Sequence, residues 1–122
     1  MDAREVLEAY ELRINRHDFD ELTELIAEDA VFWFSDGTHR AHAEIREAFD
    51  RTWRTLSGES YWLEDMEWIA EGDAAAACTY RFNWQSVIDG RPASGSGRGT
   101  TVLALREGRW QIVHEHLSAD PA

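Results

Sequence analysis

Two histidines near the end of the chain have side chains suited to acid–base chemistry. His114 and His116 lie two positions apart in a segment that predicts a β-strand, with Trp110 and Ile112 on the same face. Side chains at this spacing point in the same direction, about 7 Å apart. Because imidazole titrates near neutral pH, one ring could abstract a proton from a small substrate while the other donates one.

Other roles fit the same two histidines. Either ring can be a buried group hydrogen-bonded to Thr101, Tyr10 or a backbone carbonyl, or can hydrogen-bond a ligand without catalysis. A zinc site would need a third ligand, for which His39 or His42 is the available choice. The alternatives stay open here, and we expect no metal and no other cofactor.

The composition indicates one acidic domain rich in aromatic residues. The 122 residues include 6 Trp, 5 Phe and 3 Tyr, which typically fill a core, wall a ligand pocket or line a subunit interface. With 24 acidic and 12 basic residues the net charge is −12, which disfavours nucleic acid and anionic membranes as partners. Cys78 is the only cysteine, which excludes an intramolecular disulfide, and the charged N-terminus does not resemble a signal peptide. We expect a single domain, residues 1–122, located in the cytoplasm.

Helical periodicity dominates the first half of the chain. It predicts a helix over about residues 2–16 and a later one over 42–56. Between them, Asp18 and Glu21 form the capping box of a further helix, and residues 30–35 form an aromatic strand. The predicted buried stripes of the three helices are Val6, Leu7, Tyr10 and Ile14; Phe19, Leu22, Leu25 and Ile26; and Ile45, Phe49, Trp53 and Leu56.

Alternating patterns in the second half predict strands. They cover residues 61–70 and 74–88 and a closing hairpin over 95–118. The order α-α-β-α-β-β-β-β is typical of an α+β fold, in which a curved antiparallel sheet is covered on one face by three N-terminal helices.

The turn of the hairpin predicts its register. If Glu107 and Gly108 form a two-residue turn, strict alternation defines two faces. The apolar face would contain Gly99, Thr101, Leu103, Leu105, Trp110, Ile112, His114 and His116. The polar face would contain Arg98, Thr100, Arg109, Gln111 and Glu115. This register directs both histidines to the interior and Glu115 to the outside.

Three segments resemble a known superfamily. They read AYELRINRHDFDELTELIAEDAVFWF, RAHAEIREAF and GRWQIVHEHLS, and they are similar to NTF2-like proteins, above all to the SnoaL-like and ketosteroid-isomerase-like members. The resemblance extends from about Arg4 to Ser118. It implies a cone-shaped α+β barrel, open at one end, with a mostly apolar pocket between sheet and helices. It also implies a homodimer that packs through the outer face of the sheet.

The same resemblance transfers only part of the isomerase machinery. Tyr10 matches the tyrosine that helps to form the oxyanion hole in ketosteroid isomerases. Phe34 or Ser35 replaces the general-base aspartate, and Thr100 or Thr101 lies where a second oxyanion acid is expected. Steroid isomerisation by that mechanism is therefore not expected, and acid–base chemistry would move to His114 and His116 on the last strand.

Two functions from different classes follow. The first is a cofactor-independent enzyme that moves a proton on a small apolar carbonyl or hydroxyl compound, as an isomerase, dehydratase, cyclase or hydrolase. The second is a non-catalytic ligand-binding or association module. The candidate catalytic residues are His114, His116 and Tyr10, and the candidate ligand-binding residues are Trp33, Trp53, Tyr80, Trp84, Thr101 and Trp110.

Overall fold

The computed structural model describes all residues 1–122 as an α+β fold with two α-helices and six strands. In chain order the elements are α1 (Ala3–Ile14), β1 (Ile26–Phe34), β2 (Gly37–Arg40), α2 (Ala41–Thr55), β3 (Ser57–Glu71), β4 (Ala75–Ile88), β5 (Arg91–Arg106) and β6 (Arg109–Ala119). No helix is both long enough and apolar enough to cross a lipid bilayer.

The six strands form one curved, unclosed sheet in the order β2-β1-β6-β5-β4-β3. Neighbouring strands are antiparallel except β1 and β6, which run parallel. The expectation of a wholly antiparallel sheet is therefore wrong at this pair. After β2 the chain continues through α2, β3, β4 and β5, and β6 then pairs with β1.

Helix α1 agrees with its sequence pattern. Asp2 accepts a hydrogen bond from the backbone N–H of Glu5, and the Glu5 carboxylate accepts one from the backbone of Asp2, forming a capping box. The predicted stripe of Val6, Leu7, Tyr10 and Ile14 is buried against the sheet. The helix therefore presents Tyr10 to the concave side of the sheet.

The predicted second helix is wrong in length and type. Only a single 3-10 turn forms, over Phe19–Glu21, and Asp18 caps it through the backbone N–H of Asp20. The apolar stripe is nevertheless buried, because Leu22, Leu25 and Ile26 fill the core from an irregular turn and from the start of β1. Tertiary pairing outweighs local helical propensity here, since the backbone carbonyl of Leu25 accepts a hydrogen bond from Ile112 on β6.

The predicted third helix corresponds to α2. It buries Ile45, Ala48 and Phe49, and its start is shifted by one residue from the predicted one. The loop expected before it contains the short strand β2, which pairs with the end of β1. Helix α2 packs mainly on β1 and β2, and β2 forms one edge of the sheet.

Aromatic rings explain the alternating glycines of β5. Gly95, Gly97 and Gly99 lie directly opposite Trp84, Phe82 and Tyr80 of β4. A Cβ atom at Gly97 would lie 2.2 Å from the backbone oxygen of Ser118 and 2.4 Å from the ring of Phe82. The glycines therefore give room for the rings of the inner face and for the close approach of β6.

A β-bulge in β6 overturns the predicted register of the hairpin. The two-residue turn is confirmed, since Arg106 pairs with Arg109, and pairing continues to Leu103 and Ile112. The register then shifts, and Thr101 pairs with Glu115 instead of with His114. One extra residue reverses which side chains face the interior beyond it. Glu115 therefore points into the fold, and His114 and His116 point outward.

Candidate functional site

A cavity of about 520 Å³ lies between the inner face of the sheet and the two helices. Of its 19 lining residues, 11 are hydrophobic, and its aromatic walls are Tyr10, Phe34, Phe49, Tyr61, Phe82 and Trp84. Three carboxyl side chains also line it, those of Asp36, Glu59 and Glu115, whereas no Lys, Arg or His does. Its size and apolar lining suit a small organic molecule.

Glu115 lies at the centre of a buried hydrogen-bond network in this cavity. The side chain is 1% exposed. The Tyr10 hydroxyl donates to Oε2 at 3.1 Å, and the Tyr80 hydroxyl donates to Oε1 at 3.2 Å. Thr101 Oγ1 lies 3.4 Å from Oε1 and 2.7 Å from the Tyr80 hydroxyl. Residues from α1, β4 and β5 thus hold the carboxyl group of Glu115, which lies on β6, in place.

Burial raises the pKa of Glu115 to about 7, although the hydrogen bonds from Tyr10, Tyr80 and Thr101 oppose the rise. Burial and the nearby Glu115 charge also raise the pKa of Tyr10 and Tyr80 well above the ordinary tyrosine value, so both hydroxyls remain donors at neutral pH. The carboxyl group can therefore accept and release a proton near neutral pH.

A second carboxyl group, that of Glu59 on β3, also lines the cavity. Its residue is 8% exposed, and burial raises its pKa to about 7. No side chain or backbone donor of the chain hydrogen-bonds to this carboxylate. Nε2 of His17 donates instead to the backbone carbonyl of Glu59, at 2.9 Å. Glu59 therefore offers the cavity an unpartnered acceptor.

The structure places His114 and His116 outside the cavity, on the outer face of the sheet. Nδ1 of His114 donates to the backbone oxygen of Val31 at 2.6 Å. Both rings lie edge-on to the exposed Trp33, with ring centroids at 5.1 Å and 5.7 Å. The expectation that they line the pocket is wrong, because the bulge in β6 turns them away from it.

The remaining predicted site residues divide between the cavity and its surroundings. Tyr10 and Trp84 line the cavity, while Tyr80 and Thr101 reach it through Glu115. Trp33 is 46% exposed on the outer face, and Trp110 packs against the edge of the core. Trp53 stacks on His17 and packs on Phe49, which places it beside the cavity and not in its wall.

The third zinc ligand considered above is engaged elsewhere. His39 pairs with Asp36 at 2.8 Å, and His42 hydrogen-bonds the backbone oxygen of Ile26 at 2.7 Å. No group of three or more His, Cys, Asp or Glu residues is arranged to hold a metal ion.

Sequence reasoning missed both acidic groups of the cavity. Glu115 was assigned to the outer face because ideal alternation was extended across the bulge. A carboxylate between two histidines on an otherwise apolar strand was the available signal for it. Glu59 follows Gly58 between the predicted helix over 42–56 and the predicted strand over 61–70, and no sequence pattern marks it, although it lies on β3.

Comparison with known families gives one match. The model of the SnoaL-like domain matches residues 6–113. A comparison with curated proteins finds no match.

Solved structures share the fold over nearly the whole chain. An NTF2-like superfamily protein from Salmonella enterica has a TM-score of 0.87 at 23% identity, covering 97% of this chain and 88% of that one. A Novosphingobium aromaticivorans protein provisionally named an aromatic ring hydroxylase has a TM-score of 0.85 at 21% identity, covering 98% and 87%. A Xanthomonas campestris protein provisionally named a calcium/calmodulin-dependent protein kinase II association domain has a TM-score of 0.83 at 20% identity, covering 99% and 89%. At these identities the similarity shows the NTF2-like fold alone.

Proposed function

Since the chain belongs to the SnoaL-like domain family of the NTF2-like superfamily, we propose that its cavity binds a small apolar carbonyl or hydroxyl compound and catalyses proton transfer on it. The observation that supports catalysis is Glu115, a buried carboxyl group with a pKa of about 7 in a cavity with aromatic walls. A base with such a pKa is half-ionised at neutral pH, where proton transfer in either direction is efficient.

In the proposed mechanism, Glu115 abstracts a proton from carbon next to a substrate carbonyl and returns it at a second position. Tyr10 lines the cavity and keeps its proton. Its single hydroxyl proton is donated to Glu115 while that group is ionised, and it can turn to the substrate oxygen, on which negative charge develops, as Glu115 takes up a proton. Tyr80 and Thr101 act as positioning residues, because they hold Oε1 of Glu115 without lining the cavity. The apolar walls lower the local dielectric constant and so strengthen these interactions.

Exchange of an α-proton for solvent deuterium tests this chemistry directly. The probe is 2-tetralone in D₂O, with loss of its α-proton signals followed by ¹H NMR. We expect the protein to accelerate exchange, with a rate that rises with pH through about 7, because the ionised form of Glu115 is the base. Glu115→Gln should lower the protein-dependent rate by about 10²-fold or more, the usual contribution of a general base.

Glu67→Gln is the matched control, since this exposed residue on β3 makes the same charge change away from the cavity. It should exchange the probe like the unmodified chain. Equal exchange rates for Glu115→Gln and the unmodified chain would refute Glu115 as the base.

A non-catalytic binding module is the second candidate function. Both oxygens of Glu115 are hydrogen-bonded by the chain itself, which favours a carboxyl group that shapes the cavity without reacting. Saturable shifts of cavity resonances by the probe, with no acceleration of exchange, would support this candidate over the enzyme.

We also propose that the chain forms a homodimer through the outer face of its sheet. Trp33, exposed between His114 and His116, offers an apolar contact on that face. Analytical ultracentrifugation should show a dimer that Trp33→Asp dissociates. A monomer at all concentrations, or a dimer unaffected by Trp33→Asp, would refute this interface.

A further inference from the structure

Glu59 is a largely buried residue whose carboxyl group receives no hydrogen bond from the chain. It is 8% exposed and lines the cavity, whereas its neighbour in the cavity, Glu115, receives hydroxyl hydrogen bonds on both oxygens. The oxygens of this carboxylate keep contact with the cavity space, so water or a ligand in the cavity must supply the donors that the chain does not. Glu59 lines the cavity, so a ligand bound there could hydrogen-bond to its carboxyl group.

The charges around this space have one sign. Asp36, Glu59 and Glu115 line the cavity, and no basic side chain does. At the rim Asp36 is already paired with His39, and it lies 4.0 Å from Arg51. The two inner carboxyl groups therefore set the field inside, which repels anions and attracts cations.

The walls suit a cation with an apolar body. Tyr61, two residues after Glu59 on β3, lines the cavity and stacks on Phe82 with ring centroids 6.2 Å apart. Trp84 and Phe49 complete the aromatic surface. Aromatic faces attract organic cations, and the attraction is strongest where water is excluded.

We propose that, among small apolar carbonyl or hydroxyl compounds, the cavity selects those that also carry a protonated amine, with Glu59 as the counter-ion of the ammonium group. The ammonium N–H groups supply the donors that the Glu59 carboxylate lacks, and the aromatic walls bury the apolar body. This inference rests on the proposed function of the cavity as a small-molecule site, and it names the class of molecule that enters.

Three probes with one apolar body and different head groups test the inference. They are 4-phenylbutylamine, 4-phenylbutanol and 4-phenylbutyrate, titrated at pH 7.5 by isothermal calorimetry or by ¹H–¹⁵N NMR. We expect the amine to bind at least 10-fold more tightly than the alcohol, and the carboxylate to bind most weakly. Glu59→Gln should bring the amine and the alcohol to within about 2-fold, because a neutral amide replaces the counter-ion.

Two further variants separate charge recognition from a folding defect. Glu59→Asp keeps the carboxylate and should retain a preference for the amine, while Glu67→Gln should bind like the unmodified chain. Equal binding of amine and alcohol to the unmodified chain would overturn the inference and leave the cavity as a small-molecule site. The inference would also be overturned if Glu59→Gln kept the full preference for the amine over the alcohol. If none of the three probes bound, both the inference and the proposed binding function would be refuted.

Discussion

Glu115→Gln removes the ionisable group of the cavity while keeping the size of the side chain, and its effect on stability should depend on pH. The folded-state pKa of Glu115, about 7, lies above the ordinary value of 4.5. Between these values the folded chain binds the proton that the unfolded chain has released. The stabilising effect of that proton is fully present below pH 4.5 and is lost as pH rises through 7.

The magnitude follows from the two pKa values. Relative to low pH, where Glu115 is protonated in both states, its titration lowers the free energy of unfolding by about 3 kcal/mol at pH 8 but by under about 1 kcal/mol at pH 5. The Gln variant does not have this cost at either pH. Relative to the unmodified chain, its free energy of unfolding should therefore rise by about 2–3 kcal/mol between pH 5 and pH 8.

Urea denaturation of both proteins at the two pH values measures this difference. Glu59 is present in both proteins, so its own titration cancels in the comparison. A stability difference between variant and unmodified chain that stays the same at pH 5 and pH 8 would refute the raised pKa of Glu115.

Three further predictions concern single residues. Tyr10→Phe removes a hydrogen bond that stabilises the ionised form of Glu115. The apparent pKa of proton exchange should therefore rise above its value of about 7. An unchanged or lower apparent pKa would contradict this role of Tyr10. Gly97→Ala should lower the free energy of unfolding by about 1–3 kcal/mol, because the new Cβ atom would overlap the Ser118 backbone and the Phe82 ring. Thermal denaturation measures this change, and an unchanged Tm would show that β5 and β6 can separate at this position. Glu107→Asn should stabilise the chain by about 0.5 kcal/mol, because residue 107 has a φ of 52° before Gly108 and Asn tolerates that conformation better; a lower Tm would contradict this reading of the turn.

Amphipathic periodicity was enough to predict most of the fold. The stripe of α1, the stripe of α2 and the alternation of β4 each identified a buried face. The same spacing could not distinguish an α-helix from the irregular turn after Phe19, because Leu22 and Leu25 are buried in either conformation. Pairing of Ile26 with Ile112, a contact distant in sequence, decided the outcome.

The candidate site was harder to predict because it depends on a single extra residue. Alternation predicted the strand β6 and its turn, but a bulge between Ile112 and His114 reversed the inward-facing set. Tyr10, Tyr80 and Thr101 were identified as site residues, yet the carboxyl group that they surround was assigned to the outer face. Burial of Glu115 is possible because three hydroxyl groups on other elements converge on it, which no local pattern reports.

The titration of the Glu115 carboxyl group tests the proposed chemistry most directly. In protein labelled with ¹³C at the glutamate side-chain carboxyl, the spectrum of Glu115→Gln identifies the resonance by its loss. We predict that this resonance titrates with an apparent pKa of about 7. Titration near the ordinary value of 4.5 would show a solvated carboxylate and contradict a proton-transfer site in the cavity.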